Sequence, residues 1–484
     1  MIILHKLYHR YRAYCLPLIL LVGFLLRVIH LNYNSPFVDE AQYVVLGQKI
    51  LAGRSEEEAP FSWVGGIPYF YPPLSALFSL AGGVLGARFL NVLIGSSMIY
   101  LMYRFVQYLE LSVRKYKEII ALLAAALIAI LGIPIYLSRL ATYDMLSFGL
   151  FFLGFVSLQR TIFLRQPKPW QRENYFFLAA VLFFGSFLAK YFTLIMLPYL
   201  ALWFLLSLKE KNRQYRKRFI TYFLIPLEFF FAVYIIYHFQ DLLLFLQNQV
   251  SEPVSAYPEI LAQFREYVLP TFIFSTAGML WLVFIRREPK WIVFWGGALS
   301  IPIIHVLFQN SASFHQQVFL IYLFTVPLAA YMFFQTMKTY RVYGVLGVVL
   351  IYLWIGWNSR QTVVALERSW TNTDRVMRQL ASMVEQTDTI LSSEDDITVL
   401  MVPQIPYAQI TGLFFFEYND LSGEEAYVRA LEDGYFSFVL LNNSAHGELT
   451  DKLEAALGIS YRLVFEEDPF TIYQLEVPSE VSEE

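Results

Sequence analysis

The chain has 484 residues, of which 57% are hydrophobic and 15% are charged. Soluble domains carry about 25% charged residues, so this composition excludes an ordinary soluble protein and predicts one solvated largely by lipid. The net charge of −3 conceals an asymmetry, because the residues from Asn358 onward hold 23 acidic and 7 basic side chains and the rest carries +13. The lone Cys15 allows no disulfide bond within the chain.

Eleven apolar segments predict membrane-crossing helices, each of which needs roughly 20 apolar residues. The first lacks a small-residue cleavage site and is expected to be a retained anchor helix. The segments are Cys15–Leu31, Ala87–Leu109, Ile119–Leu137, Met145–Phe163, Tyr175–Leu188, Tyr191–Leu208, Phe219–His238, Val268–Ile285, Trp291–Phe308, Phe319–Met337 and Tyr343–Trp357.

Basic residues predict the orientation, because Lys and Arg gather in short cytoplasmic loops. With the N-terminus inside the cell, the inner segments before Asn358 hold 21 Lys and Arg and the outer loops hold five. A single crossing over residues 175–208 would place a strongly basic loop outside, so this stretch is expected to make two passes. The first loop (32–86), the loop 239–267 and the C-terminal tail are then extracytoplasmic, in a plasma-membrane protein.

Three regions follow: a transmembrane region (1–357), a soluble extracytoplasmic α/β domain (358–477) and a disordered end (478–484). Alternating elements predict a small sheet covered by helices. The Asp395-Asp396 pair is interpreted as a solvated turn. Predicted strands are Ile397–Val402, Phe436–Leu441, Tyr461–Phe465 and Thr471–Leu475, and predicted helices are Arg368–Gln386, Glu424–Leu431 and Glu448–Leu457.

The Asp39-Glu40 pair directly after the first crossing is the strongest chemical signal. Two adjacent carboxylates at a membrane surface are costly unless they have a function. The alternative is a helix N-terminus, where acidic residues are favoured, and Pro36 stands just upstream. Position alone leaves both interpretations open.

Two further motifs close the first loop. Tyr71, Pro72 and Pro73 either position the loop or simply mark a loop-to-helix boundary, since proline restricts the backbone. Arg88 lies near the outer end of the second crossing. It is expected to snorkel to the interface, to hold a phosphate or to pair with a carboxylate.

Four more polar residues fall on predicted outer turns. Arg139 and Asp144 share a very short loop in which Asp144 or Thr142 could simply cap the next helix. Lys190 stands at the turn between the fifth and sixth crossings, where a positive charge suits a lipid phosphate as well as it suits water. His315 lies in the loop before the tenth crossing, and a lone histidine there is usually incidental.

The order of these motifs resembles the C-type (GT-C) glycosyltransferases of the dolichyl-phosphate-mannose protein mannosyltransferase group, whose bacterial relatives include the aminoarabinose lipid A transferases. The resemblance covers about residues 16–200 and continues weakly to the His315 loop. The motifs are Asp-Glu-Ala-x-Tyr with a Gly four residues later, Tyr-x-Pro-Pro-Leu, Gly-x-Arg-Phe-x-Asn, Ser-Arg-x-Ala-Thr-x-Asp and Leu-x-Lys-Tyr.

This resemblance implies a fold of about eleven transmembrane helices with a small outer α/β domain. It implies that Asp39 is the catalytic base and that Glu40 and Asp144 position the acceptor or assist the base. It also implies that Arg88, Arg139, Lys190 and His315 hold the donor phosphate. The chain lacks the inserted β-trefoil domain of the eukaryotic enzymes, so a bacterial or archaeal type is expected.

The predicted function is therefore transfer of a sugar from a polyprenyl-phosphate donor to a lipid, glycan or protein acceptor. No Asp-x-Asp motif occurs on an outer loop, which leaves a divalent metal possible but not required. No nucleic-acid motif is present in the sequence. The alternatives are a transporter or flippase of lipid-linked saccharides, which would carry mid-membrane charges and repeats, and a non-catalytic envelope assembly protein.

Overall fold

A computed structural model describes residues 2–54, 60–109, 111, 116–163, 169–208, 213–249, 257–311, 313–414, 416–444, 447–458 and 460–476. The predicted disordered end (478–484) lies outside these residues. The chain forms two compact units. The membrane unit contains Met1–Leu31 and Gly47–Ser369, and the tail unit contains Asn32–Leu46 and Trp370–Glu484.

Helices account for nearly all of the described chain up to residue 367. Short 3₁₀ segments at Pro60–Ser62 and Tyr191–Met196 and π-helical turns at Ile220–Leu224, Phe264–Val268 and Trp281–Ile285 join some of them. The helices are α1 Ile2–Val28, α2 Val38–Leu51, α3 Tyr71–Ser79, α4 Gly83–Tyr108, α5 Lys117–Ile130, α6 Gly132–Arg139, α7 Asp144–Phe163, α8 Pro169–Ala189, α9 Leu197–Leu208, α10 Arg213–Phe219, α11 Ile225–Gln249, α12 Tyr257–Gln263, α13 Leu269–Leu280, α14 Lys290–Phe308 and α15 Phe314–Glu367.

These helices make the protein a multi-pass membrane protein. Within the described residues, seven helices are long and apolar enough to cross a bilayer, and the bent pair α5–α6 counts as an eighth. All eleven predicted segments coincide with helical stretches, apart from a few residues at their ends. The predicted break between the fifth and sixth segments is confirmed, because α8 ends at Ala189 and a new helical stretch begins at Tyr191.

The third predicted crossing is bent rather than straight, since α5 and α6 meet at an angle of 56°. Leu131 adopts an extended conformation there, which leaves the last carbonyl groups of α5 without helical partners. Arg27, on α1 and only 1% exposed, donates to the carbonyl oxygens of Ile128 at 3.2 Å and Ala129 at 3.1 Å. The same guanidinium donates to Ser138 Oγ at 3.1 Å and so ties α1 to both halves of the bend.

The tenth and eleventh crossings form one helical stretch of 54 residues, α15, without an intervening loop. Its two halves are separated by a kink at Arg341, where φ is 50° and ψ is −116°. A Cβ atom on Gly344 would lie 2.4 Å from the carbonyl oxygen of Thr336. Residues eight apart in a straight helix are about 12 Å apart, so the chain folds back on itself at Arg341.

The predicted loops are more helical than expected. The first loop (32–86) contains α2 and α3, and the predicted loop 239–267 is largely α11 and α12, with 250–256 outside the described residues. The predicted end of the seventh crossing, His238, coincides with a kink in α11, where φ is −119° and ψ is 25°. No Gly or Pro occurs between Leu227 and Glu252, so the chain continues as a helix beyond this kink. The predicted boundary after Trp357 also falls inside a helix, because α15 continues to Glu367.

The tail unit is an α/β domain with a five-stranded sheet in the order β2-β1-β5-β7-β6. Strand β1 is parallel to β2 and β5, and the other pairs are antiparallel. Strands β3 and β4 form a separate hairpin. The elements are α16 Asp374–Met383, β1 Ile390–Ser392, α17 Asp395–Met401, β2 Ile410–Thr411, β3 Glu417–Tyr418, β4 Leu421–Ser422, α18 Glu424–Glu432, β5 Phe438–Asn442, α19 Gly447–Leu457, β6 Tyr461–Glu467 and β7 Phe470–Leu475.

Helices cover both faces of this sheet, which confirms the predicted arrangement. Phe438 and Leu440 of β5 pack in the core with Met377 of α16. The alternate residues Val439 and Leu441 pack on the other face with residues of α18 and α19. This alternation is the two-residue period of a strand, and here it produces two apolar cores.

The predicted strand Ile397–Val402 is wrong, because these residues form most of α17. The β-branched run favoured a strand, but Asp395 and Asp396 occupy the first turn of a helix, where carboxylates are stabilising. They do not form the solvated turn that was predicted. Glu394 precedes the helix and accepts from Asn442 Nδ2 at 2.7 Å. Burial raises the pKa of Glu394 above its usual value, although this hydrogen bond lowers it.

Candidate active site

Lys190 stands at a break in the helical chain of the membrane unit. Its backbone is extended, with φ −153° and ψ 114°, between the end of α8 and the 3₁₀ turn that leads to α9. The first loop satisfies the backbone groups beside it, since Ile67 N donates to Leu188 O at 2.6 Å and Tyr191 N donates to Gly65 O at 2.8 Å. These backbone hydrogen bonds hold the break in place, and the break fixes the backbone direction at Lys190.

The Lys190 ammonium group is buried in a polar cluster. It forms an ion pair with Asp144, and the two side chains are only 6% and 2% exposed. It also donates to Gln316 Oε1 at 3.2 Å and lies 5.0 Å from the centre of the Tyr143 ring. Three separate helical stretches thus contribute to one group, which we call the Lys190 cluster: Lys190, Asp144, Gln316, Tyr143 and Thr142.

Asp144 is positioned from two sides. It is the first residue of α7, where the helix N-terminus favours a carboxylate. The Thr142 hydroxyl group donates to Asp144 Oδ2 at 2.9 Å, while Oδ1 faces Lys190. The helix-start interpretation and the functional one are therefore compatible, because the carboxylate that begins α7 is also the partner of a buried cation.

His315 lies close to this cluster, next to Gln316 in the first turn of α15. Its ring is 6.0 Å from the ring of Tyr136, and it is within electrostatic range of both Asp144 and Lys190. The structure thus brings together Asp144, Lys190 and His315 of the predicted site. Gln316, its neighbour in sequence, contacts Lys190 and was not predicted.

Arg139 and Arg88 lie in a second polar group at the end of α1. One terminal nitrogen of Arg139 pairs with Glu367, and the other donates to the carbonyl oxygens of Leu26 and Ile29, each at 2.8 Å. Arg88, 1% exposed, donates to Leu31 O at 2.9 Å. Both arginines were predicted to hold a phosphate, yet the contacts of Arg139 are those of a side chain that fastens helix ends.

The Tyr-Pro-Pro motif begins α3, as a loop-to-helix boundary. Tyr71 is buried, and Pro72 and Pro73 occupy the first helical turn, where a missing N–H group costs little. Asn91 donates to Tyr71 Oη at 3.2 Å and to the carbonyl oxygen of Thr142 at 2.7 Å. Since Thr142 also donates to Asp144, this motif contributes to the packing that supports the Lys190 cluster.

The glycine that follows Tyr43 by four residues in the first motif is required by the packing of α2. A Cβ atom on Gly47, four residues after Tyr43, would lie 2.0 Å from the carbonyl oxygen of Pro72. Helix α2 therefore passes α3 at a distance that only glycine permits.

Asp39 and Glu40 lie in the first turn of α2, within the tail unit. Glu40 is fully buried and its carboxylate accepts from the backbone N–H of Phe37 at 2.9 Å. This is the reverse contact of a capping box, in which the third helical residue reaches back to the residue before the helix. Glu40 thus has a structural role, while Asp39 is partly exposed.

The C-terminal part of the tail unit holds the segment in front of these acids. Trp370 Nε1 donates to Ser35 O at 3.2 Å, and the amide of Asn34 donates to Trp370 O at 3.2 Å. Thr373 N donates to Ser35 Oγ at 2.9 Å. The Trp370 ring packs against Phe37, with ring centres 5.2 Å apart.

Sequence reasoning missed Arg27, Glu367, Gln316 and Trp370. Arg27 and Glu367 each stand at the end of an apolar run, and a charge there is normally interpreted as lying at the interface. Gln316 follows His315 directly, and that adjacency was the one available signal. Within the described residues, no group of three His, Cys, Asp or Glu side chains could hold a metal ion.

Solved structures share this architecture over the whole chain. ArnT from Cupriavidus metallidurans in the apo state superposes with a TM-score of 0.64 at 11% identity, over 96% of this chain and 98% of that protein. ArnT bound to undecaprenyl phosphate gives 0.63 at 12% identity, over 96% and 97% of the two chains. The archaeal oligosaccharyltransferase AglB from Archaeoglobus fulgidus, in complex with an inhibitory peptide and a dolichol-phosphate, gives 0.57 at 13% identity, over 97% and 75%.

The chain has the GT-C fold. Both neighbours are GT-C glycosyltransferases, so the predicted resemblance is confirmed at the level of fold. At the level of sequence, no protein-family model and no curated protein matches the chain.

Proposed function

We propose that the protein transfers a sugar from a polyprenyl-phosphate carrier to an acceptor on the outer face of the membrane. The acceptor hydroxyl oxygen attacks the anomeric carbon of the donor sugar, and a new carbon–oxygen bond forms. The bond from that carbon to the phosphate oxygen breaks, and the carrier phosphate leaves with the electron pair. The acceptor proton passes to Asp39, the general base. In this direct displacement the anomeric configuration inverts.

The observation that carries this proposal is the buried ammonium of Lys190. Its place at a helix break, with Asp144 and Gln316 as partners, gives a fixed cation where charge on a leaving phosphate would develop. A cation that is already oriented needs no reorganisation during the reaction. The fold supports the proposal, since one ArnT structure contains undecaprenyl phosphate and the AglB structure contains a dolichol-phosphate.

The structure also favours Asp39 over Asp144 as the base. A carboxylate that is buried in an ion pair with a lysine is poorly accessible to an acceptor hydroxyl group. Asp144 is in such a pair, so its proposed part is to orient Lys190. Asp39 is partly exposed and leads α2 from a segment that the tail unit holds through Ser35 and Trp370.

Donor phosphate binding is proposed for Lys190, for His315 beside the Lys190 cluster, and for Arg88 in the second polar group at the end of α1. Arg139 is proposed to fasten α1 to the end of α15, because its terminal nitrogens already contact Glu367 and two backbone carbonyl groups. Gln316 is added to the proposed site because it accepts from Lys190.

Binding of undecaprenyl phosphate to the purified protein, measured by native mass spectrometry, tests the phosphate site. The Lys190→Gln variant should bind this lipid at least about tenfold more weakly, as expected when a charged hydrogen bond is lost. Lys338→Gln is the matched control, because Lys338 is exposed and distant in sequence. Equal binding by all three proteins would contradict the assignment of Lys190.

Turnover is tested separately by mass spectrometry of envelope lipids and glycans from cells with and without the protein. If the protein transfers sugars, at least one glycan or glycolipid should differ in mass by one sugar between the two kinds of cells. An unchanged set of lipids and glycans, with the protein present and folded, would sink the transferase proposal.

A further inference from the structure

A long apolar groove runs along the second half of α15. Its volume is about 680 Å³, and α5 forms its other wall through Leu123, Ala126 and Ile130. None of the residues that line it belongs to the Lys190 cluster. The groove is thus a separate feature of the membrane unit.

One face of α15 supplies the floor of the groove. The lining residues repeat with the three- and four-residue spacing of a helix face, so they form a straight stripe. From Val345 to Arg360 the stripe is about 22 Å long. On the second half of α15 these residues are Val345, Val348, Val349, Tyr352, Leu353, Gly356, Trp357 and Arg360, and Met337 of the first half also lines the groove.

The stripe ends at positive charges. A second, more polar pocket of about 390 Å³ continues from Trp357 and Arg360 to Gln361 and Arg368. Arg360 and Arg368 are exposed, and neither guanidinium has a hydrogen bond or ion pair with any of the described residues. Trp357, which lines both pockets, is a residue type that favours the headgroup level of a bilayer.

We infer that this groove is a binding site for an anionic glycerophospholipid. One acyl chain lies along the stripe, and the lipid phosphate is held by Arg360 and Arg368. A straight apolar channel fits an unbranched acyl chain, and arginine pairs well with phosphate oxygens. The charge at one end distinguishes this groove from an apolar helix surface that any lipid covers.

The sugar carrier is a poorer candidate for this groove. A donor must place its phosphate beside the reacting groups, whereas the groove ends at Arg360 and Arg368, and Asp144, Lys190 and Gln316 do not line it. The inferred lipid is therefore a bound membrane component, independent of whether the protein transfers sugars.

Two glycines of α15 provide a matched pair of variants. A Cβ atom on Gly356, inside the groove, would meet nothing within 4 Å, and the same holds for Gly347, which does not line it. A leucine at Gly356 therefore occupies space inside the groove, and its Cβ atom meets no neighbour. A leucine at Gly347 makes the same chemical change on the same helix outside it.

Trp357 serves as the probe, because brominated acyl chains quench tryptophan on contact. The protein is placed in phosphatidylcholine nanodiscs that contain increasing amounts of phosphatidylglycerol with one dibrominated chain. The Trp357 signal is the difference between wild type and Trp357→Phe. Brominated phosphatidylcholine is titrated in parallel. Brominated phosphatidylglycerol should quench the Trp357 signal at a lower mole fraction of lipid than brominated phosphatidylcholine does. Each of Arg360→Gln and Arg368→Gln should lower this preference about fivefold.

The remaining variants and lipids decide between occupants. Gly356→Leu should abolish the saturable quenching, and Gly347→Leu should preserve it. Equal titrations for the two headgroups in wild type, or loss of quenching in both glycine variants, would overturn the inference. Stronger competition by unlabelled undecaprenyl phosphate than by unlabelled phosphatidylglycerol would also overturn it, since the groove would then hold the carrier.

Discussion

Two carboxylate-bearing segments of this protein are held in different ways. Asp144 is almost fully buried and is fixed directly through its carboxylate, by Lys190 on one oxygen and by Thr142 on the other. Asp39 is partly exposed, and its segment is fixed indirectly, by hydrogen bonds that connect Ser35 with Trp370 and Thr373. The first arrangement suits a residue that orients a cation, and the second suits a base that must accept a proton.

The sharpest test of this difference is Asp39→Asn. We expect transfer to fall by about 10²–10⁴-fold, the usual contribution of general base catalysis. Stability and undecaprenyl phosphate binding should stay close to wild-type values, because asparagine keeps the size of Asp39, which is partly exposed. Transfer of a radiolabelled sugar to the acceptor gives the rate, and thermal unfolding gives the stability. If the Asp39→Asn variant still transfers sugar at the wild-type rate, the general base is another residue.

The buried pair should respond in both activity and stability. Asp144→Asn is expected to lower transfer by about 10²–10³-fold, since Lys190 loses the partner that orients it. It should also destabilise the protein by about 3–5 kcal/mol, because the buried Lys190 loses its charged partner. The double variant Asp144→Asn/Lys190→Gln should recover most of the stability and none of the activity. Recovery of both would reduce the pair to a structural contact.

The indirect support of Asp39 predicts a smaller effect. Ser35→Ala removes the acceptor for the Thr373 amide, and a segment displaced by about 1 Å can cost up to about 10²-fold in rate. We expect a lower kcat with an unchanged KM for the donor. Ser382→Ala is a suitable control, because Ser382 is an exposed serine of the same domain with a local hydrogen bond. An effect on donor KM would contradict the positioning role.

Arg139 is proposed to lie outside the phosphate site, so its substitution should have the smallest effect on catalysis. Arg139→Gln should destabilise the protein by about 3–5 kcal/mol, because it removes the ion-pair partner of a largely buried carboxylate, and Glu367→Gln in the same chain should restore part of this loss. Undecaprenyl phosphate affinity should stay within about twofold of wild type, less than the loss of a single hydrogen bond. A tenfold loss of affinity that the second substitution does not repair would show that Arg139 holds phosphate.

The sequence predicted those features that depend on local chemistry. Apolar runs located the helical segments, and the basic loops on both sides of residues 175–208 predicted the break between α8 and α9. Positions at the predicted outer face singled out Asp39, Asp144 and Lys190, and the resemblance implied their roles. The structure adds that Asp144 and Lys190 meet.

The rest depends on contacts between distant segments, which no local pattern encodes. Gln316 reaches Lys190 from 126 positions away, and Arg139 meets Glu367 over 228. The strand predicted at Ile397–Val402 was wrong because two carboxylates at a helix start outweighed a β-branched run. The bond from Trp370 to Ser35 spans 335 positions, so the support that the C-terminal domain gives to the first loop had no sequence signal.

The reversal at Arg341 leaves no spare chain between the two halves of α15. Gly344 sits against the backbone of Thr336, so any residue added at this point would force the antiparallel halves apart. A tag or a protease site for mapping sidedness therefore belongs elsewhere. On this half of α15 the lining of the apolar groove starts at Val345, directly after the reversal. A change at the reversal would therefore also disturb the end of the groove opposite Arg360.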